Sequence, residues 1–215
     1  MSVMSEENAS RRQLVRLERL MDVVFALVIW RLFMLLPRPN YDDPEWDTVA
    51  EMLAKEWHGF AVPILAVAIV IVFWLQNNRL LGLLKATDMI HTGISIVQLF
   101  CVLLFLYALR LGVSVETAAD TRVLESSAAV LVGATAFLAW LYAWKKGALL
   151  ADGVSDEKAK KVAGINMAEP LTALLTIPAA FVGPWAWELS WFLYPLLKWL
   201  FRRRTAVGEA ASESG

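Results

Sequence analysis

The stretch Arg16-Leu-Glu-Arg-Leu-Met-Asp-Val-Val-Phe-Ala-Leu-Val-Ile-Trp30 opens an apolar run that ends only at Pro37. Arg16 and Asp22 lie six positions apart at the start of this run. A charged side chain inside a membrane-length helix is costly unless it is paired or faces water, so such residues mark candidate functional sites. The stretch therefore predicts an ionisable site at one end of a membrane helix and points to an ion pathway.

The composition of the whole chain is typical of an integral membrane protein. Of its 215 residues, 58% are apolar and 10 are tryptophan, and the mean hydropathy is +0.53. A hydrocarbon core of ~30 Å requires about 20 mostly apolar residues per helix. We therefore predict an all-α membrane protein with six transmembrane helices per subunit. The predicted spans are residues 14–36, 59–76, 89–111, 124–144, 166–183 and 185–201.

The distribution of charge predicts the orientation of these spans. Basic residues concentrate on one side of the six spans, at Arg11, Arg12, Arg16, Arg19, Arg79, Lys85, Lys145, Lys146, Lys158, Lys160, Lys161, Lys198, Arg202, Arg203 and Arg204. Acidic residues dominate the opposite loops, at Asp42, Asp43, Glu45, Asp47, Glu51, Glu56, Glu116 and Asp120. Because basic loops stay in the cytoplasm, both termini are predicted to be cytoplasmic.

This orientation divides the chain into three parts. Residues 1–13 are predicted to form a cytoplasmic N-terminal segment, and residues 14–201 the transmembrane domain. The domain includes an external loop at 37–59, in which Trp46, Val49, Ala50, Leu53 and Trp57 have the spacing of an amphipathic helix. Residues 202–215 are predicted to be a disordered cytoplasmic tail, and 152–163 a charged linker.

The first span carries an apolar stripe at helical spacing. Val23, Leu27, Trp30 and Met34 share one face, and Arg16 extends that face toward the cytoplasm. Asp22 is turned away from the stripe by about 100°. Two interpretations fit this spacing. The stripe packs against neighbouring helices, or it lines a hydrophobic constriction that gates permeation by dewetting.

Motifs for catalysis or for metal binding are not recognised in the sequence. His58 and His91 fall on opposite sides of the predicted membrane, so they do not share a metal ion, and no nucleophile elbow, phosphate loop or cysteine pair is found. The chain is predicted not to be an enzyme and to need no cofactor. The basic stretch 198–204 is expected to contact membrane lipids, including anionic ones, rather than nucleic acid.

Several motifs in the chain resemble the transmembrane-protein-175 family of potassium channels. Arg16, Asp22, Phe25 and Ala26 match the spacing of its first-helix motif, with Leu20 and Met21 in place of Phe and Ser. The stretch Phe73-Trp-Leu-Gln-Asn-Asn-Arg-Leu80 is similar to the end of its second helix. Further similarities follow in order at Trp140-Leu-Tyr-Ala143, Asn166, Pro170, Ile177-Pro178, Gly183-Pro184, Trp191 and Pro195. The chain is thus identified as a divergent bacterial member with a single six-helix repeat.

The resemblance implies a pore lined by the first helix of each repeat. It implies that the narrowest ring is at Leu27, with further rings at Trp30 and Met34. Since one such helix cannot enclose a path, the resemblance implies a homotetramer in the plasma membrane of a prokaryote, with K⁺ as the permeant ion. It also implies that discrimination comes from stripping water at apolar rings, as in a weakly selective monovalent cation channel.

Two residues of the first span depart from a simple pore. Trp30 stands where the family usually has a small Thr, so four indoles either occlude the axis or offer cation–π surface. Arg31 lies about a quarter-turn off the stripe. It is expected to snorkel to the outer interface or to pair with an external acid, the alternative being a ring of positive charge at the pore mouth.

Asp22 is expected to belong to a structural network that anchors the first helix. Its candidate partners are Arg19 on the preceding turn, and Trp74 and Asn77 on the second span. Two other functions remain open on sequence alone. One is a non-conducting family member that acts as a membrane assembly or lipid-contact module. The other is a small-solute transporter, for which Ser95, Gln98, Thr172 and Thr176 supply the few polar mid-span residues.

Overall fold

The computed structural model describes residues 2–38, 46–114 and 118–212, and within them every regular element is a helix. The acidic residues Asp42, Asp43, Glu45 and Glu116 of the predicted external loops lie outside the described residues. The helices are α1 (Ser2–Phe33), α2 (Val49–Lys55), α3 (Trp57–Leu81), α4 (Met89–Ser114), α5 (Ala119–Lys146), α6 (Asp156–Asn166), α7 (Ala168–Val182), α8 (Pro184–Ser190) and α9 (Leu193–Ser212).

Four stretches of the described residues are long and apolar enough to cross a membrane. They are Gly59–Leu81, Met89–Gly112, Ala119–Lys146 and Asp156–Val182. The chain is therefore a multi-pass membrane protein with an all-helical fold. Helix α1 is not among the four stretches because it carries several ionisable residues, namely Arg16, Glu18, Arg19, Asp22 and Arg31.

The segment predicted as a sixth span is divided into α8 and α9. Helix α8 ends at Ser190, and α9 begins at Leu193. Pro195 has no N–H to donate to the carbonyl of Trp191, so a continuous helix would lose a hydrogen bond at this point. The turn before α8 is at Gly183, whose φ of 150° suits glycine.

Two segments expected to be irregular contain helix, and the predicted cytoplasmic N-terminal segment is helical as well. The predicted linker at 152–163 contains most of α6, whose N-cap is Ser155, with its side chain accepting from the Lys158 amide. Helix α1 starts at Ser2, so the N-terminal segment continues the first span as a helix. Helix α9 runs to Ser212 through the predicted disordered tail. Alanine and arginine are frequent in 202–212, and both have high helix propensity.

Helix α5 forms the centre of the bundle. It packs against α4 and α7, while α1 packs against α3 and α4. Its buried face consists largely of small residues, including Ala128, Ala129, Val132, Gly133, Ala136, Ala139 and Ala143. Small side chains allow membrane helices to approach closely and gain dispersion contacts. At Gly133 a Cβ atom would lie only 2.9 Å from the N and Cδ atoms of Pro170 in α7.

A backbone bridge, ion pairs and hydrogen bonds link the α3–α4 connection to the α5–α6 connection and to the end of α5. Leu84 and Leu150 form an antiparallel bridge, and the Lys85 ammonium donates to Asp152 at 2.8 Å. Asp88 accepts hydrogen bonds from the His91 amide at 2.8 Å, the Tyr142 hydroxyl at 2.8 Å and the Lys146 ammonium at 2.5 Å. Burial raises the pKa of Asp88, but these three donors outweigh it and lower the pKa to about 2.

We expect Gly133→Ala to destabilise the protein, because the added methyl group meets the α7 backbone. Gly164 in α6 has no atom within 4 Å of an added Cβ, so Gly164→Ala should be neutral or stabilising by up to about 1 kcal/mol through helix propensity. Thermal unfolding of both variants in detergent tests the difference. A Gly133→Ala variant as stable as the wild type would contradict this account of α5–α7 packing.

Asp88 should make stability depend on pH in the acid range. Since its folded pKa of about 2 is below the usual value of 3.8, the stabilisation is present above about pH 4 and is lost as the pH falls through 2. Asp88→Asn should therefore cost about 2 kcal/mol at pH 7. Chemical denaturation in detergent at pH 7 and near pH 2 measures this. Asp152→Asn is the control, because its carboxylate is 91% exposed and should contribute far less.

Candidate pore-lining face of the first helix

Helix α1 has a buried face and an exposed face. Met21, Phe25, Val28 and Leu32 are each at most 1% exposed. Their spacing of four, three and four residues keeps them on one side of the helix. Helices α3 and α4 cover that side, so the burial of these four side chains determines how α1 is rotated about its own axis.

The predicted pore-lining residues occupy the other face. Val23 is 57% exposed, Leu27 53%, Trp30 51% and Met34 39%. The stripe therefore does not pack against helices of its own subunit. It is available to lipid, to another subunit or to a pore.

Asp22 is held by the second predicted span. The indole N–H of Trp74 donates to Asp22 Oδ1 at 2.8 Å, which links α1 to α3. Asn77, the other candidate partner on α3, donates instead to Met21 Sδ at 2.7 Å. Within the described residues, neither Arg16 nor Arg19 forms an ion pair with Asp22. The network at this end of the apolar run of α1 is thus a pair of hydrogen bonds from α3.

Arg31 lies beside the exposed stripe at the opposite end of α1. Its guanidinium carbon is 5.3 Å from the centre of the Trp30 ring, within the range of a cation–π interaction. It also lines a cavity of about 370 Å³ with Met34, Tyr107 and Arg110. No ion pair between Arg31 and an acid is found within the described part of the chain.

One contact of the stripe was not predicted from the sequence. The Arg38 guanidinium donates to Met34 Sδ at 2.7 Å, just beyond the end of α1. Arg38 is four residues after Met34, a spacing that brings side chains together on a helix. Pro37 and Pro39 stand on either side of Arg38 and oppose helical geometry there, so helical spacing alone does not predict the contact.

The fold and the exposed face of α1 together define a class of protein. The chain is a multi-pass, all-helical membrane protein whose first helix presents an exposed apolar stripe with charged residues at both ends. No curated protein matches the sequence.

The family model narrows this class. Residues 16–105 match the model of the endosomal/lysosomal potassium channel TMEM175, which confirms the resemblance to this family over that part of the chain. The matched region includes the whole exposed stripe as well as Asp22 and Trp74. The family is one of ion channels, which confirms the prediction that the chain is not an enzyme.

Two solved structures are similar to the fold. One is a lysosomal potassium-selective channel TMEM175 homolog from Chamaesiphon minutus, with 17% identity, a TM-score of 0.70, and coverage of 90% of this chain and 98% of that chain. The other is a variant of the potassium channel MtTMEM175 in complex with a Nanobody-MBP fusion protein. It has 19% identity, a TM-score of 0.57, and coverage of 93% and 94%. At these identities the likeness establishes the fold.

Trp74→Phe should weaken the attachment of α1 to α3, because it removes the N–H donor and leaves the Asp22 carboxylate without this partner. A hydrogen bond to a charged group contributes about 1.5–3 kcal/mol. Asp22→Asn keeps an acceptor oxygen and should cost less. Thermal unfolding of the two variants in detergent gives the comparison. Equal stability of Trp74→Phe and wild type would show that the hydrogen bond from Trp74 to Asp22 does not stabilise the attachment of α1 to α3.

Proposed function

We propose that the chain is a potassium-permeable, weakly selective monovalent cation channel whose pore is lined by α1. The observation that carries this proposal is the exposed stripe on α1. Its four apolar residues are 39–57% exposed in the subunit, while the opposite face of the same helix is fully buried. The match of residues 16–105 to the model of the potassium channel TMEM175 supports the assignment of K⁺ as the permeant ion.

The subunit is proposed to assemble as a homotetramer. A single α1 cannot enclose a path, whereas four copies about an axis would face their stripes toward one another. Each copy would then contribute one residue to every ring. The rotation of α1 that this arrangement needs is the one that burial of Met21, Phe25, Val28 and Leu32 produces.

Rings of apolar side chains are proposed to control conduction. An ion that passes Leu27, Trp30 and Met34 meets no polar group to replace its hydration shell, so a narrow ring would exclude water and ions together. Widening of the rings by rotation or tilting of α1 would then open the pore. Asp22, held by Trp74, would keep α1 attached to α3 during such a movement.

Trp30 and Arg31 support a second candidate, a non-conducting assembly module. The Arg31 guanidinium lies against the Trp30 ring at 5.3 Å. Four such pairs around one axis would combine bulk with positive charge, which opposes the passage of cations. In this candidate the same tetramer forms, but Trp30 seals it.

The polar mid-span residues give little support to a transporter. The Thr172 hydroxyl donates to the Ala168 carbonyl at 2.7 Å, and the Thr176 hydroxyl interacts with Ser126 and the Ala173 carbonyl at 2.7 Å each. These hydroxyls satisfy neighbouring groups within the bundle. They are engaged within the protein rather than presented to a solute.

The proposed topology has six crossings with both termini cytoplasmic, in the plasma membrane of a prokaryote. Four crossings are the stretches described above. Helix α1 would supply the first, because its ionisable residues face water or partners in a tetramer. The interrupted pair α8 and α9 would supply the last.

Potassium flux into liposomes containing the purified protein tests the proposal. Leu27→Asn should change the flux at least several-fold, because a polar ring hydrates more readily than an apolar one. The matched control is Leu138→Asn on α5, since Leu138 is 52% exposed and Leu27 is 53%. If both substitutions leave the flux unchanged, α1 does not line the pore.

Trp30→Ala separates the two candidates. A flux that rises from near zero indicates that Trp30 is a plug, and a flux that loses preference for K⁺ over Na⁺ indicates a selectivity element. Trp199→Ala is the control, because Trp199 is also exposed and also carries an arginine, Arg203, over its ring. Absence of flux from tetrameric wild type and from tetrameric Trp30→Ala would contradict the channel proposal.

A further inference from the structure

A cleft at one end of the bundle is independent of the proposed pore. It is a cavity of about 180 Å³ between α3, α6 and α9. Its polar lining consists of Gln76, Arg79, Asn166 and Lys198, and its apolar walls include Leu75 and Ile165. A single buried water requires only about 10–15 Å³, so the cavity can hold a much larger group.

An amide N–H donor in this cleft has no partner. Asn166 is 7% exposed, and its Nδ2 atom makes no hydrogen bond. The Gln76 side chain beside it is engaged within the protein, because it interacts with the Glu169 carboxylate and its Oε1 atom accepts from the Tyr194 hydroxyl at 3.1 Å. Buried N–H groups in folded proteins nearly always have an acceptor. The Asn166 amide therefore indicates that an acceptor group occupies the cleft.

The cleft is also positively charged. Lys198 lies near enough to Arg79 and Arg202 for their charges to interact. Within the described residues, neither Arg79 nor Lys198 forms an ion pair. The Lys198 ammonium donates to the Tyr194 hydroxyl at 2.8 Å, which holds it at the edge of the cleft. Arg79 and Lys198, two cations close together without a carboxylate in ion-pair contact, favour the binding of an anion.

A second cavity of about 320 Å³ extends this positive surface. It shares Arg79 with the first cavity and adds Lys158 and Lys161 from α6. Two acids stand nearby. Glu157 lines the second cavity, and the buried Glu169 interacts electrostatically with Lys198. Four basic residues against two acids leave a net positive cleft.

We infer that this cleft binds the phosphate of an anionic phospholipid. Phosphate oxygens accept hydrogen bonds and do not donate, so they match the free N–H group of Asn166 and the charges of Arg79 and Lys198. The apolar walls favour a lipid over a free phosphate ion, because they offer a surface for the start of an acyl chain. Basic pockets between membrane helices on the cytoplasmic side bind lipid headgroups of this kind.

Lipid binding to the full chain in detergent tests this inference without any need for conduction. Phosphatidylglycerol should bind and be retained in native mass spectra, and phosphatidylcholine should bind much less. The double variant Arg79→Gln/Lys198→Gln should bind phosphatidylglycerol about 25-fold more weakly, at roughly fivefold for each cation near an anionic lipid. The control Lys145→Gln/Lys160→Gln removes the same charge from exposed residues that do not line the cleft and should bind as the wild type does.

Asn166→Leu provides a second test that a general charge effect would not pass. Replacing an unsatisfied buried amide by an apolar group should leave the stability in the absence of lipid unchanged or higher. The same variant should bind phosphatidylglycerol several-fold more weakly. Equal binding by the wild type, the double variant and Asn166→Leu would overturn the site. Thermal stabilisation by inorganic phosphate equal to that by phosphatidylglycerol, and lost in the same variants, would overturn the assignment to a lipid.

Discussion

The rotation of helix α1 about its own axis is the constraint on which the proposed site depends. Met21, Phe25, Val28 and Leu32 are almost completely buried, and a helix can bury only one side of itself against α3 and α4. The remaining side then carries Val23, Leu27, Trp30 and Met34, as a geometric consequence of the 3.6-residue period. The bond from Trp74 to Asp22 acts in the same direction, since it ties the charged end of α1 to α3.

The rest of the bundle holds α3 and α4 in position for this contact. Small residues along α5 let α4 and α7 approach closely, as the 2.9 Å distance from the Gly133 position to Pro170 illustrates. At one end, Asp88 gathers three donors from α4 and α5 and fixes the connection between α3 and α4. The close packing along α5 and the hydrogen bonds of Asp88 therefore both hold α3 and α4 in place. Helix α1 packs against these two helices and leaves its other face exposed.

Polar groups within the bundle fall into two kinds. Those of Thr172, Thr176 and Asp88 are satisfied by neighbouring groups and stabilise the fold. The Nδ2 group of Asn166 is not satisfied, and it lies beside cations at the edge of a cavity. This difference separates a structural network from a candidate binding site. The two proposed sites, the α1 stripe and the lipid cleft, share no residue and can be tested separately.

The sequence by itself determined the class of protein and the stripe on α1, because hydrophobic length and helical period are local properties that hold wherever a helix packs. Its motifs also indicated the resemblance to the TMEM175 family. It also identified Trp74 as a candidate partner of Asp22. Only the tertiary structure decided that Asn77 contacts Met21, that α6 and the tail are helical, and that Gln76, Asn166 and Lys198 meet in one cleft. These contacts join residues far apart in the chain, and their partners are chosen by how helices pack in three dimensions rather than by spacing along one helix.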